Sequence, residues 1–600
     1  MKKILIVLLF VLPSINNLSS QSITEKEIFR LTYKGDADAY NFIYDSSSSN
    51  YCYLYRPEDE NKVFIISNNS VSEKYDNIYA EDIRFDSEGN YYVIGADFKK
   101  DYGVDNNFLI VNGKNVLNYN YIESYNAFIN NNEDYVFIFK ESEQYKIGYY
   151  NIDSGFRKSE GYESIKPIYN YKAIQYHHEG EAEGYRSEDF YLNENGERGF
   201  IAISNGKAKI VFETSEIQTT YNDINELSFS KNKNNELSFI AKTGAKFYEK
   251  VGNEFVVSGN NAYDKFELVS TPLSFNNTDE PVYTAGDSVG EFKFIYYPVI
   301  GNKKIIAYSD INNSEQALEF NYGLSDFKIE SDGKLSYIGA EEIIIPAKQA
   351  APDETVYDEY YSRSFFIQDG IANELAYSIG PVKYNGQGDM LYSGIADLKK
   401  KDVLLMLNYG SSKIIINREK FDDVFEYGFS KDNEIYYIGQ NYGDDENKKN
   451  ETFIYIGDQL IGKYEYVTYQ NTGDEGSIIK FDKRNNFAFA IEEKVDSNTF
   501  KSFVVTKSGK LPFPSNAVNG SKMFSYISEL MFTADGKLFF IGDMIYDPVA
   551  HTGTKEIFVD NKSLGKIYNT INNVEYDETE NIISFAGSRG KAIYFVHIKL

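Results

Sequence analysis

Side chains able to do chemistry are few in this chain, and they are scattered. Four histidines occur: His177, His178, His551 and His597. His177-His178-Glu179 could open a metal site, but no His-Glu-x-x-His helix follows and the other two histidines lie far away in sequence. A solvated turn is the expectation there, and His597, which alternates within the last apolar segment, reads as a packed strand residue. Gly286-Asp287-Ser288-Val289-Gly290 matches the G-x-S-x-G pattern of a nucleophile elbow, which needs a helix after the serine. The segment Glu291–Tyr297 alternates like a strand instead. A lone cysteine, Cys52, excludes an internal disulfide framework and a thiolate metal cluster. Asp and Asn recur at turns, yet nowhere with the spacing of a calcium loop, so no metal and no cofactor is expected.

What remains is tyrosine beside carboxylate. Asp353–Tyr361 places Tyr357, Asp358, Tyr360 and Tyr361 together, and Asp444 and Asp445 follow Tyr442 in a similar, smaller segment. Phenol rings can stack on a sugar or hold a cationic peptide, while carboxylates orient the guest. These six are the candidate ligand-binding residues. No catalytic residue is assigned. Paired carboxylates acting on a polysaccharide or peptide are the alternative, since 90 Asp and Glu offer many pairs, but the Asp box of sialidases ends in Thr-Trp and the chain has no Trp.

Composition narrows the partners. Against 61 Lys and Arg the acidic residues leave a formal charge of −29, which opposes the phosphate neutralisation that nucleic-acid binding depends on. Aromatic residues make up 16%, with 53 Tyr and 43 Phe, too many for a disordered chain. Lys2 and Lys3 precede the apolar run Ile4–Leu12, and a polar stretch with small residues follows. That is the pattern of an export leader over residues 1–20, too short to span a bilayer. No membrane insertion is expected, and the mature chain should reach a periplasm or the exterior.

The elements that must position these residues repeat. An apolar segment, a polar turn and a Tyr/Phe/Ile-rich segment ending in Gly recur, as in Ile83–Gly95, Phe327–Gly339, Tyr427–Gly439 and Leu530–Gly542. Looser copies centre on Asn130–Asn132, Asn234-Asn235, Gly386–Gly388 and Arg484–Asn486, and weaker ones lie near Ser47, Gly180, Thr278 and Glu578. Asn, Asp and Gly supply the positive φ that tight hairpins need. Twelve such turns fall between about residue 48 and about residue 580, a mean spacing of about 48 residues. A second turn follows the first by roughly 20 to 25 residues in nearly every unit, as at Asn112-Gly113, Asn205-Gly206 and Asp560-Asn561. Two hairpins per unit make four antiparallel strands, the arithmetic of a β-propeller blade. The expectation is an all-β chain of about twelve blades in tandem propellers over 21–322 and 323–600, six blades each, with seven plus five as the alternative. The orphan strand Glu27–Tyr33 should pair with Lys591–Leu600, because both ends are incomplete and an open edge is a liability.

At Phe85-Asp-Ser-Glu-Gly89, Phe429-Ser-Lys-Asp-Asn433 and Phe532-Thr-Ala-Asp-Gly536 the chain resembles the WD-like repeats of TolB-type periplasmic propellers. The resemblance implies blades and leaves the ligand open. The scarcity of catalytic side chains favours an exported, non-catalytic scaffold for a protein, peptide or glycan, with a secreted hydrolase or lyase as the alternative. The longest interval between paired turns contains Ala340–Ser364, which reads as an inserted loop and puts the tyrosine cluster on a loop-rich face.

Overall fold

The structure, a computed structural model, describes residues 22–600 apart from 46–49, 58–59, 69, 100–102, 124–126, 170–190, 246–252, 291–292, 310–316, 330–333, 347–357, 369, 410–411, 417–419, 444–449, 469–476, 496–499, 518–522 and 545–552. Within these, regular structure is strand, with two single-turn 3-10 segments at Ala39–Asn41 and Ala80–Asp82. No helix among the described residues is long and apolar enough to cross a membrane.

The strands form antiparallel meanders in chain order, the blade of a β-propeller. Phe128–Ile129, Tyr135–Glu141, Gln144–Asn151 and Gly155–Lys158 make one such sheet, and Ser164–Pro167, Phe200–Ser204, Lys207–Val211 and Glu216–Gln218 the next. Two longer sheets each run through successive meanders, joined by the single pairs Tyr377↔Ile395 and Ser502↔Phe524. A short parallel pairing of Tyr308–Ser309 with Ile371–Tyr377 departs from the antiparallel rule.

Sheet stacking explains why the second strand of each meander is almost wholly apolar. In Tyr135–Glu141 the first five residues are buried. Tyr135, Phe137 and Phe139 pack on Tyr92, Ile94 and Leu109 of the preceding sheet, while Val136 and Ile138 pack on Phe200, Ala202 and Val211 of the following one. A strand covered on both faces loses the polar alternation of a half-exposed one. The glycine within the second strand of other meanders also has a packing reason. A Cβ at Gly439 would stand 2.7 Å from the ring of Phe421, and one at Gly339 as close to Phe320. Each glycine admits an aromatic ring from the segment leading into its own meander.

Turn chemistry closes the meanders. Asn112-Gly113, Asn205-Gly206 and Asp560-Asn561 all have positive φ at both residues, as a two-residue hairpin requires. In the sheet that begins at Ser164, the turn expected near Gly180 falls outside the described residues. The described turn before Phe200 is Asn193–Glu197.

The chain ends pair as expected. Ser22–Arg30 lies antiparallel to Ala592–Lys599, with Glu27 opposite Tyr594 and Arg30 opposite Ala592. Beyond the strand, Leu31 N–H donates to the Lys591 carbonyl at 2.7 Å. Contacts divide the chain into two compact units, one holding the segment up to Tyr40 with Ser430–Asp432 and Tyr464–Leu600, the other Asn41–Phe429 and Asn433–Lys463. Residue 322, where the repeat places a join, lies inside the second unit.

Candidate functional site

In its described part the segment read as a loop at Ala340–Ser364 is mostly a two-stranded arm. Leu335–Ile345 pairs with Glu359–Gln368 along their whole length, with Ile343 opposite Tyr361 and Ile344 opposite Tyr360. The reason is local: Glu341-Glu-Ile-Ile-Ile345 continues the β-branched character of the strand, and Tyr360–Phe366 answers it across the ladder. Tyr360 and Tyr361 are therefore strand residues. Tyr357, Asp444 and Asp445 lie outside the described residues, and Asp358 is exposed just before the strand.

Alternation splits the tyrosines between two faces. On one face Tyr361 donates its hydroxyl to Glu359 at 3.0 Å, and Lys401 Nζ reaches both oxygens of Glu359 at 2.6 and 2.7 Å. The Lys401 hydrogen bond, then that of Tyr361, holds the Glu359 carboxyl below its ordinary value. Farther along the same face Arg363 pairs with Glu374 at 2.6 Å. This face is internally satisfied. On the other face Tyr360 is 64% exposed and its cross-strand neighbour Ile344 is 43% exposed. The structure thus separates Tyr360 from Tyr361 and leaves the first as an open aromatic surface.

Ser288 and His597, the described members of the serine and histidine candidates, both lie in strands. Ser288 sits within the strand Pro281–Gly290, followed by the strand Lys293–Ile300, so there is no elbow. His597 lies in the last strand but on its exposed side, with Nδ1 2.9 Å from Ser584 Oγ. His177, His178 and His551 lie outside the described residues. Among the described residues no group of three His, Cys, Asp or Glu is placed to hold a metal ion.

Sequence reasoning missed a second feature, a cavity of about 440 Å³ at the opposite end of other blades, where the tight turns lie. It draws on three successive sheets: Tyr51 and Asn68 from the first, Phe85, Glu88, Asn90, Asn112 and Lys114 from the second, Tyr150 from the third. The turn that builds its floor is tightly organised. Asp86 Oδ1 accepts the backbone N–H of Glu88 and Asn90, and Asp86 Oδ2 accepts the Asn90 amide at 2.9 Å. Asn112 in turn donates to Asn90 Oδ1 at 2.8 Å and accepts the Tyr91 N–H at 3.1 Å. The repeated turn made these residues visible in sequence, but nothing local says that a space opens beside them.

No protein-family model matches the chain, and no curated protein matches it. Among solved structures it is similar to the β-propeller domain of the trilobed protease from Pyrococcus furiosus, at 10% identity and a TM-score of 0.18, covering 64% of this chain and 97% of that one. It is also similar to an acylaminoacyl peptidase from Pyrococcus horikoshii, at 12% identity and a TM-score of 0.20, covering 63% of this chain and 50% of that one. At these values the likenesses add nothing to what the sheets already show, and nothing about activity.

Proposed function

We propose that this chain is an exported, non-catalytic β-propeller scaffold that holds a protein, peptide or glycan on an extended hairpin. The observation that carries the reading is the open pair of Tyr360 and Ile344 on an arm whose inner half is buried and whose outer half is not. Tyr360 and Ile344 together offer a small apolar surface open to water, which the ring face of a sugar or an apolar side chain of a peptide can cover. The charge of −29 favours a guest that is cationic or neutral. Export rests on the leader pattern of residues 1–20.

The test is binding of the full chain to arrayed peptides and glycans, compared with the double variant Tyr360→Ser and Ile344→Ser. We expect the variant to lose about tenfold or more in affinity for the best probe while melting within a few degrees of the parent, because exposed residues contribute little to the core. Undiminished binding by the variant would remove the arm from the reading. Cleavage of any bound probe by the parent chain would replace the scaffold by a hydrolase or lyase.

A further inference from the structure

The cavity beside Asn90 and Asn112 is built for a guest of mixed character. Its walls carry the rings of Tyr51, Phe85 and Tyr150, and its rim carries Glu88 and Lys114. At about 440 Å³ it falls within the range of small-molecule sites, which run from roughly 300 to 1,000 Å³. Apolar rings and hydrogen-bonding side chains line it together. A sugar ring has the same mixed character, with C–H faces that lie on aromatic rings and hydroxyls at its edge.

The polar groups are fixed in advance and incompletely used. Asn90 spends one amide N–H on Asp86, and Asn112 spends one on Asn90. Each carboxamide has two N–H bonds, so each keeps one that no described residue takes up. Neither the Glu88 carboxylate nor the Lys114 ammonium has an ion-pair or hydrogen-bond partner among the described residues, although both line the same space. Below them Tyr91 is 2% exposed, and burial raises the pKa of its phenol despite the nearness of Ser70 and Ser67. Those two hydroxyls bond each other at 2.8 Å and stand beside the buried Tyr91 oxygen.

We propose that this cavity is a binding site for a neutral sugar, a hexose or a hexose-containing disaccharide. Aromatic walls take the ring faces, while Glu88, Lys114 and the spare amide hydrogens of Asn90 and Asn112 meet the hydroxyls. A purely ionic guest would leave the three rings without use, and a purely apolar one would strand the fixed amides. The site is independent of the Tyr360 arm, which lies on other strands.

The experiment is titration of the full chain with glucose, galactose, mannose, N-acetylglucosamine and their common disaccharides, followed by calorimetry and by tyrosine fluorescence. The dipeptide Gly-Tyr serves as a zwitterionic control. We expect at least one sugar to bind one-to-one. The rim variants Glu88→Gln and Lys114→Ala, and the wall variant Tyr150→Ala, should each weaken it by about tenfold at an unchanged fold by circular dichroism, whereas Tyr360→Ser should leave it unchanged. If no sugar binds at concentrations up to about 50 mM, the proposal fails. It fails equally if binding survives all three variants, or if the dipeptide binds and the sugars do not.

Discussion

At the scale of single residues, one rule organises the turns. In seven of them an Asp or Asn at the first position accepts backbone N–H groups from two and four residues on, and its complement stands four residues on, at the fifth position. Asn130, Asn193, Asn232, Asn276 and Asn385 face Asp134, Glu197, Glu236, Glu280 and Asp389. Asp86 and Asp482 face Asn90 and Asn486, the same pair reversed. A carboxylate opposite an amide closes the ring of hydrogen bonds, whereas two carboxylates would repel. Asn385→Asp alone should therefore destabilise by about 1 kcal/mol or more, and adding Asp389→Asn should restore stability to within about 0.5 kcal/mol, read from urea midpoints. Cys52 offers a second check. Its thiol is fully buried, and burial pushes its pKa well up, so thiolate is scarce in the folded chain. A thiol reagent at neutral pH should leave Cys52 unmodified until denaturant unfolds the chain, and then titrate one equivalent.

Between elements, the turns are linked as well as closed. Ser87 N–H donates to Glu133 at 2.9 Å, Asn131 donates to the Asn195 carbonyl at 2.9 Å, and Lys233 N–H donates to Asp279 at 2.7 Å. Each bond joins the turn of one meander to the turn of the next. The pairing of the chain ends has its own clasp. Glu25 on the first strand receives Lys566 at 2.7 Å and also accepts from Tyr568 and Arg589. Burial pushes the Glu25 pKa up, but these three donors outweigh it and hold the pKa below the ordinary value of 4.5. A folded value below the unfolded one means the clasp stabilises fully above the unfolded pKa and is lost as pH falls through the folded one. Glu25→Gln should thus lower stability at pH 7 and make progressively less difference as the medium is acidified below about pH 4, measured by urea unfolding at each pH.

For the molecule as a whole, the first strand matters because of what it covers. Ala592–Lys599 would become a free edge without Ser22–Arg30, and an open edge invites association as well as loss of stability. Deleting residues 23–35 should lower the melting temperature of the unit that holds Tyr464–Leu600 and raise the apparent mass in light scattering. If melting and mass are both unchanged, the end pairing contributes nothing. Metal is not expected to enter this balance, since among the described residues no group of three His, Cys, Asp or Glu is placed to hold an ion. Melting in a strong chelator should match melting without it.

Much of this was legible in sequence because it is local. Short apolar segments rich in Tyr, Phe and Ile, Asn-Gly and Asp-Gly turns and the incomplete strands at either end specify meanders and even the partner of the first strand, through rules that span a few residues. The turn Asn193–Glu197 before Phe200 was not read from the sequence, where the repeat pointed to Gly180; its Asn/Glu pair four residues apart gained meaning only once the other turns showed the same pair. Other properties needed the folded chain. Whether Tyr360 faces water or Lys401 depends on ladder register, in which one residue of slip exchanges the faces. The glycines at 339 and 439 acquire their purpose only when a ring from the strand entering the meander lands on them. The cavity draws on Tyr51, Asn112 and Tyr150, which are distant in sequence and meet only because three sheets stack. Pattern along the chain specifies strands and turns, since these depend on near neighbours. Contact between sheets decides where a space opens, because it depends on side chains that no local pattern relates.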